Sequence, residues 1–230
     1  MSQNGKRKLI ERECVKRLCN VLQSHRQVLA VTEDLRPGCS SFLSAEWEKM
    51  TKGYSLKLQP QIDILLEDSL WNYLCGIEVK YFQKPKNNLG FNWAFYAGAD
   101  EAIAMLNYGF HTSALWHVFS PETTLQDLEH YGEPFWKHIE KLRLPIEYTM
   151  MIDRGKDFDV YNRDRKTGRS YNLCKLSQIT ITYSQFNPIF NEILQTELRT
   201  TIYNWLLSGH PRRYKNQNLS GAQLDFRKRP

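Results

Sequence analysis

Two short apolar runs restrict this chain more than any other feature: QIDILL, residues 61 to 66, and GIEVKYF, residues 76 to 82. Both alternate. Successive side chains of a strand point to opposite faces, so Ile62, Ile64 and Leu66 lie together, as do Ile77, Val79 and Tyr81. Asp63, Glu78 and Lys80 then share the other face. If the two strands pair antiparallel, Asp63 and Glu78 come within reach of one divalent cation. Mg²⁺ takes oxygen ligands, commonly one or two protein carboxylates with several waters retained. Lys80 beside it is placed to hold an attacking water or to offset charge developing on a phosphate oxygen. The competing reading is a strand-face salt bridge between Lys80 and either carboxylate. Exposed pairs contribute less than about 1 kcal/mol, and buried ones are costly to desolvate. Neither accounts for two carboxylates around one lysine.

The segments around these strands read as a mixed α/β domain. KRKLIERECVKRLCNVLQ places Ile10, Cys14, Leu18, Val21 and Leu22 on one helical stripe. Glu11 falls inside that stripe and Glu13 outside it. A carboxylate there is either snorkelling at the edge or placed for use. A turn-rich RPGCSS and a short AEWEKM follow, then LKLQPQIDILL as a strand, EDSLWNY as a turn or strand start, and CGIEVKYF as the next strand. NWAFYAGADEAIAMLNYG predicts a helix stopped by Gly109. TSALWHVFS predicts a core strand, EPFWKHIEKL a short helix, LPIEYTMMID a strand, and DFDVYNRDRKTGRSYNL a hairpin with arginines on both arms. Asn187-Pro188 has the form of an N-cap followed by proline at the first helical position, opening a long amphipathic helix that ends near Gly209. The expected organisation is one domain over residues 1–209 and a basic, mobile tail over 210–230.

The pattern D63-x14-E78-x-K80, carried by QPQID and GIEVK, resembles the active-site signature of the PD-(D/E)XK nuclease superfamily. The resemblance implies a restriction-endonuclease-like α/β core, a mixed central sheet flanked by helices in the order α-β-β-β-α-β. It also implies Asp63 and Glu78 as metal ligands, with the Val79 carbonyl as a further donor, and Lys80 as the catalytic lysine. Many members add a glutamate from the first helix; Glu11 is the candidate, with Glu46 in reserve. The implied activity is Mg²⁺- or Mn²⁺-dependent hydrolysis of phosphodiester bonds in DNA, by an enzyme resembling structure-selective Holliday junction resolvases or small viral and archaeal nucleases. A homodimer is expected, because a two-fold axis matches two strands.

Composition narrows the partners. The net charge of +6 is unevenly divided: residues 1–17 carry +4 and residues 209–230 carry +5, so the middle is about −3. Basic ends around an acidic body suit a polyanion, though basic tails also serve solubility. Lys84, Lys86 and Asn88 in the QKPKNN loop, and Arg212 and Arg213 in the tail, are the candidate phosphate contacts; a solvated polar loop is the alternative for the former. Five cysteines without a CxxC pair and scattered histidines give no zinc or disulfide framework. No apolar run is long enough to span a membrane, and the first residues lack the apolar stretch of a secretory signal. An intracellular, cytoplasmic location is therefore expected, the host cytoplasm if the source is viral. The rival function is a non-catalytic nucleic-acid-binding protein on the same scaffold; a third is a protein–protein adaptor.

Overall fold

A computed structural model describes residues 3–25, 28–35, 62–68, 74–84, 96–106, 110–163 and 170–179, with 181, 186–188 and 196. Along the chain run α1 (Gln3–Gln23), β1 (Val28–Leu35), β2 (Ile62–Asp68), β3 (Leu74–Phe82), α2 (Ala99–Met105), β4 (Thr112–Phe119), α3 (Leu125–Leu142), β5 (Glu147–Asp153), β6 (Phe158–Arg163) and β7 (Ser170–Lys175). The described strands form one mixed sheet in which spatial order follows sequence order. β3, β4 and β5 are parallel, and the pairings outside them are antiparallel. Parallel neighbours need a crossover, and α2 and α3 supply the two that this trio requires. Among the described residues no helix is long and apolar enough to cross a membrane.

Strand alternation divides the core into two layers. On one face Ile64, Leu66, Ile77, Val79, Tyr81, Ala114, Trp116 and Val118 pack against Cys14, Val15, Leu18, Cys19 and Leu22 of α1. On the other, Leu115, Phe119, Tyr148, Met150 and Ile152 meet Ala102 and Leu106 at α2, and Leu128, Phe135, Trp136 and Ile139 of α3. β4 is buried along its whole length, as expected of a central strand covered on both faces. Gly132 lets α3 lie close to β5, since a Cβ there would fall 1.5 Å from Met150 Sδ.

Several element boundaries differ from the sequence-based expectation, each for a physical reason. β1 lies in an apolar run, VLAV, which periodicity does not distinguish from a continuation of the preceding helix. Within 92–109 the described chain turns at 96–98 and is helical only from Ala99; Gly98 has φ of 81°, which no α-helix accommodates. α3 begins at Leu125, eight residues before Glu133. Its start is a capping box in which Thr124 and Asp127 satisfy each other's backbone N–H groups, and Pro134 sits inside it. Asn187 is buried, and its amide donates to the Leu106 and Phe110 carbonyls at 2.7 and 2.9 Å. The helix expected after it and the 210–230 tail lie outside the described residues.

His117 on β4 joins three elements. Tyr148 Oη of β5 lies 2.9 Å from its Nδ1, and its Nε2 lies 3.1 Å from the Ala97 carbonyl. An N–H at Nε2, donated to that carbonyl, satisfies both contacts. Burial, reinforced by the Lys80 charge, holds its pKa down at about 3. The unfolded chain therefore takes up a proton below about pH 6.5 that the folded chain refuses. Stability from this group is complete above pH 6.5 and is lost as pH falls toward 3. Urea titrations of wild type between pH 4 and 6 should show a pH slope steeper than that of His117→Gln by about one proton, roughly 1.4 kcal/mol per pH unit. Equal slopes would refute this assignment.

Candidate functional site

β2 and β3 do not stay paired to their ends. Their ladder runs from Glu67↔Leu74 to Ile64↔Ile77 and stops, while β2 remains paired with β1 as far as Leu35↔Ile62. One step beyond the last β2–β3 pair, the same register sets Asp63 opposite Glu78. The sheet forks here, and the β3 N–H groups that face the fork find side-chain acceptors instead of backbone. Val79 N donates to Asp63 Oδ2 at 2.9 Å. Tyr81 N donates to Glu11 Oε2 of α1 at 3.3 Å. A residue's N–H and C=O leave an extended strand by the same edge, so the Val79 carbonyl also opens toward the fork.

Glu78 and Lys80 stand on the face covered by α2. The Lys80 ammonium pairs with Glu78 Oε1 and, at 2.9 Å, with Glu101 Oε2 of α2. Glu78 and Glu101 also share a hydrogen bond. The turn before α2 sits directly on these groups: a Cβ on Gly98 would lie 2.9 Å from Glu78 Cγ and 3.0 Å from Lys80 Cε. Because Gly98 also has positive φ, any other residue there is both strained and crowded.

The electrostatics follow from burial. Asp63 is pushed up to about 6, first by desolvation and then by the Glu11 and Glu101 charges, against the Val79 hydrogen bond and Lys80. Glu78 rises further, to about 10, through desolvation, the Asp63 charge and its hydrogen bond with Glu101. Glu101 moves down: burial opposes this, but the Glu78 and Lys80 hydrogen bonds prevail. The proton of the Glu78–Glu101 pair therefore resides on Glu78. Desolvation would lower Lys80, but Glu78 and Glu101 outweigh it and raise its pKa.

Of the sequence-derived candidates, Asp63, Glu78, Lys80, Val79 and Glu11 thus come to one fork. Lys84 is directed elsewhere: its ammonium pairs with Asp127 at 2.6 Å and its N–H donates to Ser120 Oγ at 3.0 Å. That charge fastens the loop after β3 to the α3 capping box. Lys86, Asn88, Arg212, Arg213 and Glu46 lie outside the described residues. Glu101 is the group that sequence reading omits; its signal is the acidic pair Asp100-Glu101 opening the helix after the lysine strand.

The donors fit a hard divalent cation in kind, since Asp63, Glu78 and the Val79 carbonyl are all oxygen ligands. Charge balance fits as well: Asp63, Glu78, Glu101 and Glu11 act on one another with Lys80 as the cation among them. In orientation the fit is incomplete, because Glu78 is turned to Lys80 and Glu101. Among the described residues no three His, Cys, Asp or Glu side chains form a group that could hold a metal ion. No protein family, curated protein or solved structure matches the chain.

The raised carboxyls make stability depend on pH with the opposite sign to His117. Folded Glu78 keeps a proton that the unfolded chain releases near pH 4.5, so its stabilisation is complete below that pH and is lost as pH climbs toward 10. In chelator, Glu78→Gln should be more stable than wild type at pH 8 by at least about 1 kcal/mol and should lose the excess near pH 4. Chemical denaturation at the two pH values measures this. A variant less stable than wild type at pH 8 contradicts it.

Proposed function

We propose that this protein is a metal-dependent nuclease of the PD-(D/E)XK kind, with a restriction-endonuclease-like core, acting on DNA. The observation that carries the reading is the fork between β2 and β3. Carboxylates from β2 and α1 accept adjacent outward N–H groups of β3 there, and Glu78 and Lys80 stand on that same strand. Among the described residues of 3–119, the order α-β-β-β-α-β supports it.

Asp63, Glu78 and the Val79 carbonyl would hold Mg²⁺ or Mn²⁺, which when bound supplies Lewis-acid polarisation of the phosphate and a water of lowered pKa. To serve as a ligand, Glu78 would have to release the proton that burial and Glu101 keep on it. In the metal-free chain Glu78 and Glu101 hold Lys80 in its protonated form. Its ammonium can then donate to the phosphate oxygen on which charge develops, a partly desolvated contact of the kind that lowers barriers most. Glu11 holds β3 at Tyr81 and so keeps Lys80 in place. Dimerisation and a preference for branched DNA belong to the same proposal.

One observation favours the rival, a nucleic-acid-binding protein without cleavage: Glu78 is engaged by Lys80 and Glu101 and keeps its proton, which a metal ligand would have to release. The test is to incubate wild type, Asp63→Ala and Lys80→Ala with branched, linear duplex and single-stranded DNA, in Mg²⁺ or Mn²⁺ and in chelator. Wild type should cleave only with metal, and each variant should be at least about a hundredfold slower. Mn²⁺ should raise the melting temperature of wild type but not of Asp63→Asn. Cleavage in chelator, or undiminished cleavage by both variants, would rule the mechanism out; binding without cleavage selects the rival.

A further inference from the structure

Lys80 has two carboxylate partners of unequal standing. Glu78, on its own strand, is 3% exposed, whereas Glu101, reaching over from α2, is 48% exposed. Lys80 itself is 19% exposed, with its stem beneath Gly98. Of the three, Glu101 is the most open to solvent. Of the two partners of Lys80, it is therefore the one that an anion arriving from solvent can displace. Its backbone is held in place: the turn that opens α2 rests on Glu78 and Lys80 through Gly98, and the Ala97 carbonyl is fixed to His117 at 3.1 Å.

We propose that Glu101 is an internal stand-in for the phosphate of the substrate, occupying the anion position on Lys80 until an incoming phosphate oxygen displaces it. This rests on the reading of Lys80 as the residue that faces phosphate. The chemistry is interchangeable, because carboxylate and phosphate oxygens accept from an ammonium with the same charge-assisted geometry. Lys80 has three N–H donors; Glu78 and Glu101 each engage the ammonium. A tethered competitor lowers apparent affinity by the fraction of time it holds the position. Glu101 would thus keep the site closed to weakly held anions and open it to a ligand with enough further contacts to turn it aside.

The test is a double-mutant cycle on the full chain, in chelator so that nothing is cleaved, with thermal unfolding by circular dichroism confirming that each variant is folded. Binding of a fluorescein-labelled 20-base-pair duplex is measured by anisotropy for wild type, Glu101→Gln, Glu101→Ala, Lys80→Ala and Glu101→Gln/Lys80→Ala. Removing the Glu101 charge should tighten binding about five- to tenfold when Lys80 is present and less than about twofold when it is absent. No tightening overturns the proposal. Equal tightening in both backgrounds also overturns it, because a general loss of negative charge then suffices. Calorimetry with inorganic pyrophosphate repeats the cycle with a minimal anion. If no variant binds DNA but pyrophosphate binding shows the Lys80-dependent gain, the Glu101 role stands and the DNA reading falls. If wild type cleaves DNA with Mg²⁺ but neither probe shows the gain, the nuclease reading stands and the Glu101 role falls.

Discussion

The site depends on β2 leaving β3 after Ile64↔Ile77 while staying with β1. A strand that loses a neighbour exposes a row of N–H and C=O groups, and a buried one left unmet costs about 1–3 kcal/mol. Here the vacated donors of Val79 and Tyr81 go to Asp63 and Glu11. The fork therefore places two acids at the end of β3 as a condition of its own stability. It also ties the middle of α1 to the sheet through Glu11, so the same contacts that satisfy the backbone set the distance between helix and strand. Had pairing continued to Ile62, the ladder would have taken the Val79 donor and left Asp63 without this use.

The opposite face of β3 is set by contact instead of hydrogen bonding. Ile77, Val79 and Tyr81 anchor the strand against α1, which fixes Glu78 and Lys80 toward α2. The turn before α2 then descends onto them because Gly98 has no side chain and the Ala97 carbonyl is held by His117. Close approach is what brings Glu101 within 2.9 Å of Lys80. The ion pair is thus a product of β4 and β5 as much as of β3, since His117 is in turn held by Tyr148.

What could be read from the residues alone follows from how local each cause is. Asp63, Glu78 and Lys80 were legible because strand alternation is a period of two, and Glu11 because its angle on the helical stripe is fixed by 3.6 residues per turn. Glu101 was not, because its reach depends on the left-handed turn at Gly98 and on a histidine of the next strand. Lys84 read as a free cation because its partner, Asp127, lies 43 positions away in a capping box. Pro134 concealed the true start of α3, since a proline more often opens a helix than interrupts one. β1 and the fork share one explanation: where a strand parts from its neighbour is decided by tertiary packing, which periodicity does not encode.

The energetics of the fork do not favour the fold by themselves. Buried ion pairs can often be replaced by apolar side chains without loss of stability, and the surroundings of Glu78 and Asp63 already push both toward their neutral forms. His117 withdraws stability on the acid side, and the two carboxyls withdraw it as pH rises. The metal-free chain therefore loses stability in both directions, to the histidine as pH falls below about 6.5 and to the carboxyls as pH rises above their ordinary range. A divalent cation held at the fork, as proposed above, would relieve only the alkaline side, because it favours ionised carboxylates and does nothing for a neutral histidine sealed beneath α2 and α3. A fold selected for stability alone would have little reason to retain that asymmetry. One that must bind a cation with carboxylates at neutral pH acquires it as a direct consequence.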